Sequence, residues 1–195
     1  MATTNNNQND ACRGKAFSLP IKPLPGIVME NASPLSQNNI NYMGNKQILK
    51  DHKIAFLCSR KCPADIILKS YDWAIAQREK GVCVISGFHS KIEKDVLHYL
   101  LKGAQPIILA LARGLKKRLE PELKDALDKN RLLIATPFDE KVKRVTRETA
   151  NQRNHLMAEL ADEIFIAYAL PCGNIEKIIT DISRTGKTIS SFKTG

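Results

Sequence analysis

An α/β fold with a Rossmann-like, doubly wound and mostly parallel sheet is what this sequence predicts. Three features point to it. Short apolar runs suited to strands buried on both faces recur along the chain. Amphipathic helical stretches separate them, and glycines or prolines punctuate most junctions. Five or six strands alternating with helices give one parallel sheet covered on both sides.

Residues 1–38 open Asn/Gln-rich and then carry Pro20, Pro23, Pro25 and Pro34, with little periodic apolar pattern. A loosely ordered extension is expected there, followed by a single domain over 39–195. A short helix is expected over Asn39 to Lys50, on the spacing of Ile40, Met43, Ile48 and Leu49. The first strand is Ile54 to Cys58. After Pro63, a helix places Ile67, Tyr71, Ala74 and Ile75 on one side, and Gly81 ends it. Val82 to Ile85 is the second strand. Ile92, Val96, Leu97, Leu100 and Leu101 mark the next helix, closed by Gly103. Pro106 to Leu111 gives the third strand, and Leu119, Leu123, Ala126 and Leu127 a helix after it. Leu132 to Ala135 is the fourth strand, leading through a basic stretch to a helix over Arg147 to Ala161. Glu163 to Ala167 is the fifth strand. Asn174 is placed to cap a helix bearing Ile175, Ile178, Ile179 and Ile182, and Thr188 to Phe192 can add a last strand.

The chain carries 30 Lys+Arg against 20 Asp+Glu, a net charge of +10 and a pI near 9.5. Such a surplus favours polyanionic partners, because neutralised phosphates release condensed counterions. The five cysteines (Cys12, Cys58, Cys62, Cys83 and Cys172) are odd in number, and two lie inside apolar runs. Reduced thiols and a cytoplasmic location are therefore expected. The Asn/Thr-rich start has no apolar core and does not resemble a secretory signal. No apolar stretch is long enough to span a bilayer, so no membrane partner is expected.

In sheets of this kind ligands bind beyond the carboxyl ends of the strands, where strand order reverses. The segments after each strand are accordingly the candidate site. They hold Ser59, Arg60 and Lys61; Ser86, Gly87, Phe88, His89, Ser90 and Lys91; Arg113, Gly114, Lys116, Lys117 and Arg118; Lys141, Lys143, Arg144 and Arg147, with Arg153 and Asn154 on the next helix; and Pro171, Cys172, Gly173 and Asn174. Cations, small hydroxyl residues and glycines thus recur on one edge. Ser59, Ser86, Gly87, Gly173 and Asn174 are expected to form a backbone-lined phosphate cradle, helped by helix N-termini. The cations Arg60, Lys91, Arg113, Lys116, Lys117, Lys143, Arg144 and Arg153 would meet further phosphates. Phe88 is placed either to stack on a base or to pack over the sheet end, and Trp73 falls among core positions. Cys58, Cys62 and His89 lack a fourth metal ligand, so neither metal nor cofactor is expected.

Several of these segments resemble the DNA-processing protein A (DprA/Smf) family. Cys58-Ser59-Arg60 resembles its Gly-Ser-Arg at the end of the first strand, Val84-Ile85-Ser86-Gly87 its Val-Val-Ser-Gly, and Ile92-Glu93 its Ile-Asp. Gln152-Arg153-Asn154 resembles its Arg-Asn element, followed by a family-like Ala161-Asp162-Glu163-Ile164-Phe165-Ile166. The match runs in order over about residues 40–190. It departs at Lys91, at His155 and at Pro171-Cys172-Gly173-Asn174, and no accessory domain is expected after Gly195. The resemblance implies a binder of single-stranded DNA that assists a recombinase in homologous recombination or DNA uptake. Related folds often pair through helices or edge strands, so a homo-oligomer is also expected.

The LONELY GUY phosphoribohydrolases offer a second, more distant resemblance. Arg153, Ala161-Asp162 and Pro171-Cys172-Gly173-x-x-Glu176 look like a shortened form of their pattern. That alternative implies a nucleoside monophosphate as ligand and N-glycosidic hydrolysis. Arg153 would clamp the phosphate and Glu176 would act on the sugar or on water. The plainer role for Glu176 is a first-turn acid favoured by the helix dipole. The two readings differ in shape: a strand needs an open groove, a nucleotide a closed pocket.

Overall fold

The computed structural model describes residues 40–116 and 118–192, with Arg184 described through its backbone only. The expected N-terminal extension and Lys117 lie outside the described residues. The strands are β1 (Asn41–Gly44), β2 (Lys53–Cys58), β3 (Cys83–Ser86), β4 (Ile107–Ala110), β5 (Leu132–Thr136), β6 (Glu163–Tyr168) and β7 (Thr188–Ser191). The helices are α1 (Ala64–Glu79), α2 (Lys91–Leu101), α3 (Pro121–Asp128), α4 (Arg147–Leu160) and α5 (Asn174–Ile182). The sheet runs β1-β5-β4-β3-β2-β6-β7. All its neighbours are parallel except β1, which pairs antiparallel with β5. This is the predicted Rossmann-like class, with seven strands in place of five or six.

Alternation along the central strands builds the two layers. Ala55 and Leu57 face one side with Ile85, Ile108 and Leu133, where α4 and α5 lay down Met157, Ala158, Ile175, Ile178, Ile179 and Ile182. Phe56 and Cys58 face the other with Val84, Ile107 and Leu132, under Ala74 of α1, Val96 and Leu100 of α2, and Ala126 of α3. Trp73 stacks on Phe165, ring centroids 4.8 Å apart, and lies 5.0 Å from Phe56, which makes it part of this layer as expected.

The segment from Asn39 to Lys50 departs from the prediction of one helix. Asn41–Gly44 extends along β5, and only Lys46–Lys50 turns, as a 3-10 helix capped by the Asn45 side chain, which accepts from the Gln47 N–H at 3.0 Å. Without β1, the outer flank of β5 would leave a row of backbone groups unpaired. Gly44 separates the two pieces at φ +102°, with Leu132 O only 2.3 Å from where a Cβ would stand. The thiols also differ from expectation: Cys58, Cys62 and Cys83 are free, whereas Cys172 is disulfide-bonded.

Two lysines fix the end of the sheet opposite the candidate site. Lys187 Nζ donates to the carbonyls of Ala158, Glu159 and Ala161 at 2.6–2.7 Å, closing the C-terminus of α4. Lys53 Nζ, almost wholly buried, donates to Leu49 O, Asp51 O and Asp162 Oδ2. Burial pushes the Asp162 carboxyl up, but hydrogen bonds from the Lys53 ammonium and backbone N–H outweigh this and hold it below its ordinary value of 3.8. A depressed carboxyl stabilises the fold above its unfolded value, and the effect is lost as pH falls through the folded value. At pH 7 Asp162→Asn is expected to cost about 1 kcal/mol, discounted for the half-exposed carboxylate. In chemical denaturation the gap to the natural chain should close as pH drops below 3.8.

Candidate nucleic-acid interface

Strand order sets the place. From β2 the chain steps through β3, β4 and β5 in one direction, and α4 then carries it back so that β6 lies on the other flank of β2. The reversal puts a crevice beyond the carboxyl ends of β2 and β6. At that point the two loops are tied together. The Ser59 N–H donates to Tyr168 O at 2.9 Å, and the Leu170 N–H donates to Ser59 Oγ at 2.9 Å. Arg60 and Lys61 follow directly and are exposed.

Beside the crevice, α4 enters the rim with a buried arginine. Arg153 is 7% exposed, and its Nε donates to Asn154 Oδ1 at 2.9 Å. Its guanidinium lies against Gly87: a Cβ there would stand 1.5 Å from Nη1. Gly87 thus permits this close approach, and no positive φ marks it as a turn glycine. Burial pulls the Arg153 pKa down, while the charge of Glu93 opposes that shift. Glu93 is itself buried and accepts from the His89 and Ser90 N–H groups at 2.9 Å each; Ser90 Oγ accepts in return from the Glu93 N–H. This capping box closes the N-terminus of α2. Sequence reading noted Glu93 only for its resemblance to a family acid. The signal that could have revealed it is Ser90-x-x-Glu93 itself.

Of the other helix starts on this rim, that of α4 is closed in the same way, whereas α1, α3 and α5 begin behind Pro63, Glu120 and Gly173 with no side-chain cap bond. Thr146 and Thr149 form a capping box at α4. At α5 the cap is Gly173, not Asn174 as expected. Asn174 is the first helical residue, and its Oδ1 accepts from Arg147 Nε at 3.0 Å. Glu176 reaches back to take the Cys172 N–H at 2.5 Å. Ser86 is wholly buried and donates its hydroxyl to Phe56 O. Phe88, at φ +44°, is 5% exposed and packs with Phe56, Val84 and Ile92, so of its two expected roles it takes the packing one. Ser59, Ser86, Gly87, Gly173 and Asn174 thus line the rim, but not as one open cradle. The Ser59 and Ser86 hydroxyls, the Asn174 side-chain carbonyl oxygen and the Gly173 N–H already have internal partners.

The cations are arranged differently. Lys91, Lys141, Lys143 and Arg144 are exposed, and Arg113 and Lys116 are half-buried. The loops that carry them are braced. The Gly114 N–H donates to Val142 O at 2.9 Å, and a Cβ on Gly114 would meet Asp139 O at 2.5 Å. Thr136 Oγ1 donates to Arg113 O at 2.7 Å. Among the described residues, ion pairs form elsewhere, as in Lys69–Asp65 and Lys124–Asp128, and none of these rim cations is held in one. Burial, and then the adjacent Cys62, push the thiol of Cys58, at the end of β2, above its ordinary value.

The family profile described as DNA recombination-mediator protein A matches residues 32–173, well over half of the chain. The chain belongs to the DNA recombination-mediator protein A family. Among solved structures, the DNA processing protein A (DprA) of Streptococcus pneumoniae superposes with a TM-score of 0.66 at 20% identity, over 80% of this chain and 55% of that one. DNA processing protein A of Helicobacter pylori, whose structure was described for its single-stranded DNA binding mode, superposes with a TM-score of 0.65 at 14% identity, over 80% of this chain and 72% of that one. At these identities the likeness shows the fold. The chain spans little more than half the length of the pneumococcal protein. No curated protein matches it.

The Arg153–Gly87 contact in this family member can be tested by a double-mutant cycle. Gly87→Ala must expel the guanidinium, so it should destabilise the natural chain by about 1–3 kcal/mol, as overpacking does. In an Arg153→Ala background the same change should cost under about 0.5 kcal/mol, as urea denaturation would read.

Proposed function

We propose that the protein binds single-stranded DNA along the carboxyl rim of its sheet, as a strand-handling mediator and not as a hydrolase. The observation that carries this reading is the contrast on that rim. The N-termini of α2 and α4 are closed by the chain's own Ser90–Glu93 and Thr146–Thr149 boxes, while Arg60, Lys91, Lys143 and Arg144 stand exposed and, among the described residues, free of ion pairs. A mononucleotide phosphate is usually held by helix N–H groups in a compact cradle. A strand instead draws its affinity from many side-chain cations spread along its backbone. The single-stranded DNA binding described for the Helicobacter pylori relative, and membership of a recombination-mediator family, support the same ligand and a role alongside a recombinase. A homo-oligomer and a cytoplasmic setting belong to this proposal too.

The phosphoribohydrolase reading would use Arg153 and Glu176 as its working pair. In the structure Glu176 is spent on the Cys172 N–H and Arg153 is packed on Gly87, which favours the binder. Binding of a labelled single-stranded oligonucleotide across a salt series separates the two. The expected result is tight binding that falls steeply with salt. Lys143→Ala/Arg144→Ala should flatten the slope of log K against log salt by about 1.4, two phosphate contacts' worth for a single strand. Absence of binding at low salt, together with free-base release from a nucleoside monophosphate that Glu176→Ala abolishes, would establish the enzyme reading instead.

A further inference from the structure

An electrostatic rim explains attraction to phosphates, but duplex and single strand both carry those. What distinguishes a single strand is unpaired bases, which offer apolar faces that a duplex hides. Phe88 does not serve them, being buried. The described residues have three exposed large hydrophobic side chains: Leu68 at 64%, Val145 at 40% and Leu170 at 41%. Leu68 lies on α1, whereas Val145 and Leu170 both lie on the carboxyl rim, in the loops after β5 and β6.

Neither position is accidental in its local geometry. Leu170 sits at the reversal of strand order, its N–H fixed on Ser59 Oγ at 2.9 Å and its carbonyl accepting from the Gly173 N–H at 2.9 Å. A Cβ on Gly173 would come 2.7 Å from that carbonyl, so the loop is tightly wound beneath the exposed side chain. Val145 follows Lys143 and Arg144 and precedes Arg147, whose Nε bond to Asn174 ties its loop to that of Leu170. Leu170 is thus held in water by a bonded backbone, and Val145 stands beside the exposed cations Lys143 and Arg144 that would grip phosphate. An isolated exposed aliphatic needs no explanation; two of three on one basic rim, on loops tied to each other, call for a partner that is apolar and anionic at once.

We infer that Leu170 and Val145 form an apolar platform for the unpaired bases of a bound single strand and give the rim its preference for single strands over duplex. The inference rests on the DNA-binding reading proposed above. Covering half-exposed aliphatic side chains with a base face removes their apolar area from water without demanding any hydrogen-bond pattern, so the platform should accept any base.

Fluorescence anisotropy with three probes of equal length tests this: an oligothymidylate, the same backbone with abasic residues throughout, and a duplex. The natural protein should bind the oligothymidylate about fivefold or more tighter than the abasic strand, the size expected from covering two such side chains. Leu170→Ser/Val145→Ser should bring the two within about twofold of each other while leaving the salt slope unchanged. Leu170→Trp should restore the preference, and its fluorescence should be quenched by the oligothymidylate and not by the abasic strand. If the double serine variant keeps the full base preference, or the added tryptophan is not quenched, the platform is refuted while DNA binding stands. If the natural protein binds none of the three probes, the DNA reading and the platform fall together.

Discussion

The guanidinium of Arg153 occupies the space where any residue but glycine at position 87 would carry its Cβ. That contact joins the end of β3 to the first half of α4, the helix that takes the chain back across the sheet and sets β6 beside β2. The reversal of strand order, and hence the crevice between the β2 and β6 loops, follows from where α4 lies. A buried arginine is tolerable there because Asn154 accepts from its Nε and the buried carboxylate of Glu93 stabilises its charge. Glu93 in turn holds the loop containing Gly87 by capping α2. Arginine, glycine and glutamate form one unit: each places the next, and together they fix the middle of the rim.

From that unit outward, the rim separates two tasks. Backbone donors at the starts of α2 and α4 are bonded inside the protein, which braces those loops without a ligand. Lys91, Lys143 and Arg144 on the same loops are exposed and, among the described residues, held in no ion pair. Attraction therefore comes from long flexible cations on a firm base, an arrangement that tolerates variation in the course of a bound backbone. The opposite end of the sheet works the other way: Lys53 and Lys187 are spent on carbonyls and on Asp162. The distribution of the +10 charge is thus uneven in use as well as in place.

Much of the fold was legible because its strands are buried on both faces. Runs such as Ile54 to Cys58 and Leu132 to Ala135 have little choice but the middle of a sheet. β1 was not legible, because Asn41–Gly44 pairs with a strand distant in sequence, Asn41 with Thr136 and Gly44 with Leu133, while the spacing of Ile40, Met43 and Ile48 in and around it mimics a helix. The rim's basic residues could be placed from strand ends alone, though one of them, Arg153, is buried. Which polar groups remained open could not. Whether the Ser86 hydroxyl turns outward or onto Phe56 O depends on packing between strands, and whether the donors at α2 are free depends on Glu93. The Ser90-x-x-Glu93 box was present in the sequence as a cap signal. Its consequence, that the His89 and Ser90 N–H groups at the start of α2 are taken from within, appears only when the loop after β3 is seen folded onto Glu93.

The central claim is that the carboxyl rim at the strand reversal is where a single strand lies. Amide hydrogen exchange of the full chain, with and without a saturating oligothymidylate, tests it most directly. Protection is predicted in the loops after β2, β3, β5 and β6, around Arg60, Lys91, Arg144 and Leu170, with the amino ends of the strands around Lys53 and Lys187 unchanged. Protection centred on the amino ends, or on the outer faces of α1 and α3 with the rim unaffected, would contradict the account.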